Sequence, residues 1–589
     1  PKEPKHILKL NYQFIQTLRL SQSDVEELAR QFVKWIEGVS YDNVYYMLLF
    51  LLGVNNDSAK IRQFLQDSNF YWIKALIADH NVKNDKYIRG KIRTLLKHKI
   101  EQACKGDIYV DGNFQVIVSD PYGFMQHVCG LPVTGLLAPG KSYSHFWNTR
   151  HITQVDAMRS PLTYLSEHVI LQLQQDSQTE KWFRYCTQGI ILNYHGHETF
   201  NFAGSDFDYD ILATTSNPVM IRSTYTNELP VVYTPPKPQK IQFTEEDLYR
   251  SDCFAFGSII GSITNKSSNA YALLPALEKQ YGTDSPQYRL VKSRLQQCCK
   301  AQSCQIDKAK IGRAVKGIPK TWITYNKIKT NRQGKPQGKH LSRKQLYNSA
   351  LLTRYPYFFR YIYKATDKEY KSYRDSYDVT CRQRFRLSFT QLEALPEKTE
   401  EQVSFIENFY RYCPVLLSDS PMNLLCRYIE NVQYSISKRT KIQTDAAVYT
   451  LYKSDFPYQD DYTSVVTAYK QFLKEKQVTV LAAISDFEAA DADGNNQASV
   501  QYQTLSDSLY QRLARINSNP YVIVNILVDY LYKEKPTANK ELLWSVYGRY
   551  IYQNIIKNAN VTSALFPFPK EGGTLTYLGY EYELQEVPL

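Results

Sequence analysis

No two cysteines in this chain form a Cys-x-x-Cys pair, and the ten present, at 104, 129, 186, 253, 298, 299, 304, 381, 413 and 426, lack the dense, even spacing of a secreted disulfide framework. They read as the reduced thiols of an intracellular, soluble protein. Cys298, Cys299 and Cys304 cluster, but adjacent cysteines are poorly placed to share one tetrahedral zinc, and the nearest histidine, His340, lies far downstream. Long apolar runs are also scarce. The stretch at 44–54, VYYMLLFLLGV, is far shorter than the about 20 residues of a membrane span, so it reads as a buried helix and no membrane partner is expected. No charged n-region with a cleavage site opens the chain, so no secretory signal is expected. Pro1 stands where an intact gene product carries Met, so the sequence is expected to be a fragment or a processed piece. Internal repeats, a glycine-rich Walker loop and a Ser/His/Asp arrangement are all missing. Acidic residues are absent from the whole stretch 308–366, although Lys and Arg recur through it.

What is present is a chain of 589 residues, 43% apolar and 22% charged. A single core stops growing at roughly 250 to 300 residues, so several cores are expected. The net charge of +13 favours a polyanionic partner. The 48 Tyr and 26 Phe include flat side chains that stack on bases where exposed, although any one of them is more simply a core or sheet residue.

Periodicity divides the chain. Over 20–105 the apolar residues recur at three and four, as in VEELARQFVKWIEGV, with Ser21 and Ser23 as caps, and this reads as a helical module. From Gly106 the texture changes to short β-rich runs: DIYVDGNFQVIVSDPYG, GLPVTGLLAPGKSY, HITQVDAM, WFRYCTQGIILNYHG and ILATTS. Asp111-Gly112, Asp120-Pro121 and Pro139-Gly140 read as turns between them. Short strands with irregular loops over some 130 residues predict a compact barrel, not an open parallel sheet. TEED at 244–247 is a capping box opening a second helical region. Within 308–366, TYNKIKTNRQGKPQGKHLSRK is an exposed basic loop in which Lys327, Lys329 and Arg332 suit phosphate contacts, or else a solvated linker. The last 150 residues are helical and Tyr-rich and end in a short β-like tail. ADADGNNQ, around Asp491 and Asp493, lacks both key carboxylates of a calcium loop and reads as a surface turn.

The most informative segment is NFAGSDFDYDILATT at 201–215, where Asp206, Asp208 and Asp210 alternate with aromatics. On an extended segment alternation sends all three carboxylates the same way. Like charges so close need a cation, and a hard divalent ion that prefers oxygen ligands, Mg²⁺ with Mn²⁺ as a substitute, answers that need at phosphoryl-transfer sites. An acidic surface turn has the same spacing. The flanking Phe202, Ala203, Gly204, Ile211 and Leu212 favour a built site. His195 and His197 with Glu198 lack a further evident ligand for zinc.

NFAGSDFDYD resembles the metal-binding loop of the two-barrel (double-psi β-barrel) RNA polymerase superfamily, nearest to its single-chain phage polymerases and the eukaryotic RNA-silencing RNA-dependent RNA polymerases. Tyr209 stands where that loop normally has Gly. LNYQFIQTLRLS at 10–21 resembles the segment that follows the family's first barrel. GDIYVDGNFQVIVSDPYGFMQHVCG and HITQVDAMRSPLTYLSE resemble the opening strands of the second, with Arg159-Ser160-Pro161 in place of an Arg-x-Pro turn. CQIDKAKIG, with Asp307 and Lys310, resembles the segment after the catalytic loop. The pieces occur in the family's order and cover roughly 10–312.

The resemblance implies an α+β fold: a helical connector at 1–106, a double-psi β-barrel with the Asp loop at 107–240, a helical region with the basic loop at 241–366, and a mainly helical C-terminal region at 367–589. It implies a nucleotidyltransferase that joins ribonucleoside triphosphates with Mg²⁺ on Asp206, Asp208 and Asp210. Arg159 and Lys310, with Lys327, Lys329 and Arg332, are its candidate nucleotide or nucleic-acid contacts; Arg159 could equally form a structural ion pair, and Lys310 an i, i+3 pair with Asp307. Implied partners are a DNA or RNA template, nascent RNA and the missing first barrel, in cis or as a separate chain, without which the chain is inactive. If phage-encoded, it works in the host cytoplasm. The rival readings are a degenerate polymerase-like subunit that only binds nucleic acid and a metal-dependent nuclease.

Overall fold

Strand β2, Tyr109–Ser119, organises the sheet that carries the Asp segment. The computed structural model describes residues 6–40, 43–53, 57–202, 205–232, 244–256, 260–311, 354–439, 446–475 and 496–589. Seven strands pair in one sheet: β1 (Ile7–Lys9), β2, β3 (Lys141–Tyr143), β4 (Gln154–Met158), β5 (His168–Leu173), β6 (Gly189–Leu192) and β7 (Ile211–Thr215). Their order is β1-β2-β6-β3-β5-β4-β7, and a further β2–β7 pairing closes six of them into a barrel. The length of β2 makes closure possible. Its Gly112–Val116 half pairs antiparallel with β7, and its Val116–Ser119 half pairs parallel with β6. The β3–β5 pair is also parallel, and the other contacts around the ring are antiparallel.

Inside the barrel lie Ile117, Val155, Ala157, Leu171, Ile190, Leu192 and Leu212, with Phe146, Trp147 and Phe202 contributed by the connections. The expected turn at Asp111-Gly112 is instead the interior of β2. A Cβ on Gly112 would lie 2.6 Å from the Thr214 carbonyl oxygen and 2.7 Å from Leu8 Cβ, so this glycine admits two neighbouring strands rather than reversing the chain. Asp120 caps the helix Pro121–Val128 by accepting from the Tyr122 and Gly123 amides, and Gly140 takes a turn at φ +72° as expected. Most of 130–143, read as strand, is irregular, and the helix Ser177–Phe183 takes up the first two residues of another expected strand run, Trp182 and Phe183.

The chain forms two compact units: Pro1–Phe32 with Ile100–Gln433, and Val33–Lys99 with Tyr434–Leu589. In the first, Ser21 closes a capping box at the helix Gln22–Leu28, and Thr244 accepts from the Asp247 amide at the start of the helix Glu245–Phe256. The long helices Ile260–Tyr281 and Pro286–Ile311 pack Tyr271, Leu274 and Leu295 against Tyr164 and Leu165. The second unit contains the apolar helix Val44–Leu52, the helices Pro520–Val528 and Glu541–Ala559, and a three-stranded sheet of β10 (Ser563–Pro569), β11 (Leu575–Tyr577) and β12 (Tyr580–Pro588). The short pair β8 (Tyr355–Pro356) and β9 (Val415–Leu416) belongs to the first unit. Tyr143, Tyr164, Tyr452, Tyr469, Tyr547 and Tyr582 are fully buried, so a good part of the tyrosine content is core.

Candidate metal centre and its surroundings

The segment joining β6 to β7 is pinned before it reaches the aspartates. Phe202 is wholly buried in the barrel core, and the Asn201 side-chain amide donates to the Ser166 carbonyl at 2.8 Å. The chain then turns. The Asp206 amide donates to Asp210 Oδ2 at 3.0 Å, and the Ile117 amide of β2 donates to the Asp210 carbonyl at 2.9 Å. The carboxylates of Asp206, Asp208 and Asp210 each offer an oxygen within 4.8 Å of the others, and no other such group of potential metal ligands occurs among the described residues. They converge through this turn, not through the strand alternation expected from the sequence. Tyr209 supplies the reversal with φ +91°, a left-handed conformation that glycine adopts freely and a tyrosine rarely does. Its ring is 76% exposed.

Arg159 follows β4 directly. The antiparallel register of β4 with β7, Met158 opposite Ala213, brings its guanidinium to Asp210 Oδ1 at 2.7 Å. Each oxygen of Asp210 is thus held by a donor. The connection carrying Arg159 is braced by the long helices: Tyr271 donates to the Thr163 carbonyl at 3.0 Å, and Gln302 donates to the Pro161 carbonyl at 3.0 Å. Glu167 closes this turn by accepting from the Thr163 and Tyr164 amides. Burial pushes its carboxyl up to about 7, against the opposing pull of those amides and of His168 and Arg159.

Asp156, His168 and Glu167 belong to no motif of their own in the sequence. His168 Nδ1 lies 2.8 Å from Asp156 Oδ2, with both side chains fully buried, and burial raises the Asp156 carboxyl while the imidazole opposes the rise. His168 Nε2 lies 3.0 Å from the Phe14 carbonyl, which can only accept, so that nitrogen carries a proton. Thr17 Oγ1 is 2.9 Å from the same nitrogen, and Gln13 accepts from the Leu162 amide at 3.1 Å. The polar residues of the 10–21 segment therefore dock it on the barrel: Asn11 caps its helix, Tyr12–Gln16, and Gln16 accepts from Ser268 at 2.7 Å.

Lys310 falls in the last turn of the helix Pro286–Ile311, and Lys327, Lys329 and Arg332 lie outside the described residues, as do Asp491 and Asp493. His195 Nε2 faces the Thr134 carbonyl at 3.2 Å, and Glu198 accepts from Asn193 at 3.0 Å. Cys298, Cys299 and Cys304 are buried. No helix among the described residues is long and apolar enough to cross a membrane.

Three oxygen donors that close suit a hard divalent cation, which takes carboxylate oxygens in preference to nitrogen or sulfur. No protein-family model matches the chain, and no curated protein does. Among solved structures it is similar to "RNA dependent RNA polymerase QDE-1 from Thielavia terrestris", at 10% sequence identity and a TM-score of 0.43, over 98% of this chain and 59% of that one, so it spans less than two thirds of that structure's length.

Proposed function

We propose that the chain carries the metal-binding half of a template-directed RNA polymerase active site of the two-barrel superfamily, with the closed six-stranded barrel as its double-psi barrel. The observation that supports this best is the convergence of the Asp206, Asp208 and Asp210 carboxylates within 4.8 Å on a turn anchored in the barrel core.

In this reading the three aspartates hold Mg²⁺, or Mn²⁺ in its place. The bound ion would supply charge neutralisation for the transferring phosphoryl group and acidify the attacking ribose hydroxyl. The chain's own contribution is positioning. Asp210 is fixed by the Asp206 amide, the Ile117 amide and Arg159 before any substrate arrives, so little reorganisation remains to be done. Arg159 screens the clustered carboxylates, and its guanidinium fork is suited to a nucleotide phosphate beside them. Lys310, Lys327, Lys329 and Arg332 would contact nucleic-acid phosphates. The substrates are ribonucleoside triphosphates on a DNA or RNA template, and a first barrel, in cis or as a separate chain, completes the enzyme.

Calorimetric titration of the chain with Mg²⁺ and Mn²⁺ tests the site. One specific site is expected, lost in the Asp206, Asp208 and Asp210 triple Asn variant while circular dichroism shows the fold retained. An identical isotherm in the variant would remove the basis of the proposal. In the completed polymerase, Asp208→Ala should abolish RNA extension, a loss of at least about a thousandfold for a group acting directly on transition-state charge. Retained extension would exclude the assigned role, and cleavage of labelled RNA in place of extension would point to a nuclease.

A further inference from the structure

In the second unit, the helices Ser58–Asp67, Tyr71–Ala78, Lys86–Ala103 and Glu541–Ala559 and the helix Asn496–Ala514 contribute the lining of a cavity of about 700 Å³. A cavity of that size is in the range of small-molecule sites. Aromatic surface comes from Phe64, Trp72 and Trp544, and the indole of Trp544 is fixed by donating to the Tyr532 hydroxyl at 3.0 Å. Its polar groups are mainly uncharged: the side chains of Gln63, Asn69 and Gln503 line it together with Ser506. Ser506 is only 6% exposed, and its hydroxyl has no hydrogen-bond partner among the described residues. A buried hydroxyl left unsatisfied costs free energy, which a ligand offering a donor or acceptor there would recover.

The charges in the lining balance. Lys91 is committed to Glu541 at 2.7 Å, and the Tyr87 hydroxyl donates to the same carboxylate oxygen at 2.6 Å. Lys60 at the exposed side is matched by Asp67. With no cationic excess, the cavity has no electrostatic preference for a triphosphate, which would also meet the carboxylates of Asp67 and Glu541. Flat aromatic walls, amide groups and a lone hydroxyl suit an uncharged, planar, hydrogen-bonding heterocycle. We propose that this cavity binds a nucleobase, presented by a free nucleoside or by one nucleotide of an RNA strand. It concerns this unit alone and does not depend on the role given to the aspartates.

Equilibrium dialysis of the full chain against labelled adenosine, guanosine, cytidine and uridine tests it, with ATP and tetra-adenylate as comparison ligands. Saturable binding of one nucleoside per chain is expected without divalent metal, and ATP should bind at least about tenfold more weakly than adenosine. Ser506→Leu replaces the lone hydroxyl with apolar bulk and should weaken binding at least about tenfold, whereas Lys60→Gln should change it by less than about twofold. Phe64→Ser, at a half-buried position, should weaken it as well and serves where Ser506→Leu fails to fold. Asp208→Asn should leave binding unchanged. Tetra-adenylate binding that is tighter than that of adenosine and is weakened by Ser506→Leu would identify a strand as the source of the base. Absence of saturation at about 1 mM, a concentration at which even weak specific sites fill, would overturn the proposal. So would binding indifferent to both cavity variants, or binding lost in Asp208→Asn.

Discussion

Tyr209 is held at φ +91° between two candidate metal ligands. A non-glycine residue in that region costs about 1–3 kcal/mol, and the ring, 76% exposed, recovers little of it by burial. Tyr209→Gly removes the strain but adds glycine's extra unfolded-state entropy, about 0.5–1 kcal/mol, so a net stabilisation of about 1 kcal/mol is expected. Denaturant titration followed by a barrel-specific probe measures it, and a lower midpoint in the variant would show that the tyrosine ring itself secures the turn. The aspartate spacing was legible because three carboxylates so close demand an explanation from the sequence alone. The His168–Asp156 pair was not: a single Asp in QVDAM and a single His in HVILQL look like ordinary strand residues until pairing puts both inside the fold. Arg159 was legible as a residue but not as a partner of Asp210, since that contact comes from the β4–β7 register, Met158 opposite Ala213, across more than fifty residues of chain.

Among the elements, helices declared themselves by period and caps, as at Ser21 and Thr244. Barrel strands were harder, because Asp111-Gly112 carries the same letters whether it reverses a chain or lets β1 and β7 approach β2. The connection from β4 to β5 sets where Arg159 sits, and its stability should depend on pH through Glu167. That carboxyl is raised from its ordinary 4.5 to about 7 by burial, so the folded state prefers the neutral form. Its contribution is therefore complete below about pH 4.5 and is lost as pH rises to about 7, where the folded protein finally ionises a group the unfolded chain ionised earlier. Glu167→Gln keeps an acceptor for the Thr163 and Tyr164 amides and cannot ionise. Relative to the parent, the variant should gain stability steadily between those limits, by about 3 kcal/mol in all, and stay level above them. Unfolding titrations of both proteins at several pH values give the difference. A difference that does not change with pH would mean that Glu167 is solvated or already ionised in the folded chain.

At the scale of the whole molecule, the pairing of Val33–Lys99 with Tyr434–Leu589 in one unit could not be read from composition, because nothing in a linear pattern records which distant helices share a core. Net charge, by contrast, needs no fold to be read. The excess of +13 and the acid-free stretch at 308–366 make nucleic-acid binding by counterion release the expected behaviour of the chain. For a single strand, log affinity falls with log salt at a slope of about −0.7 per neutralised phosphate. If Lys327, Lys329 and Arg332 each contact one phosphate, replacing all three with Ala should make the slope shallower by about 2 and weaken binding to unrelated RNA sequences alike. Mg²⁺ binding at the aspartates should not change, because these residues act on the strand and not on the ion. Anisotropy titrations of labelled single-stranded RNA over a range of salt concentrations give both slopes. An unchanged slope would make 308–366 a solvated linker and transfer the electrostatic role to other basic residues. A shallower slope with Mg²⁺ binding intact would establish strand attachment and metal binding as separable properties of one chain, as a polymerase requires and a pure binding module does not.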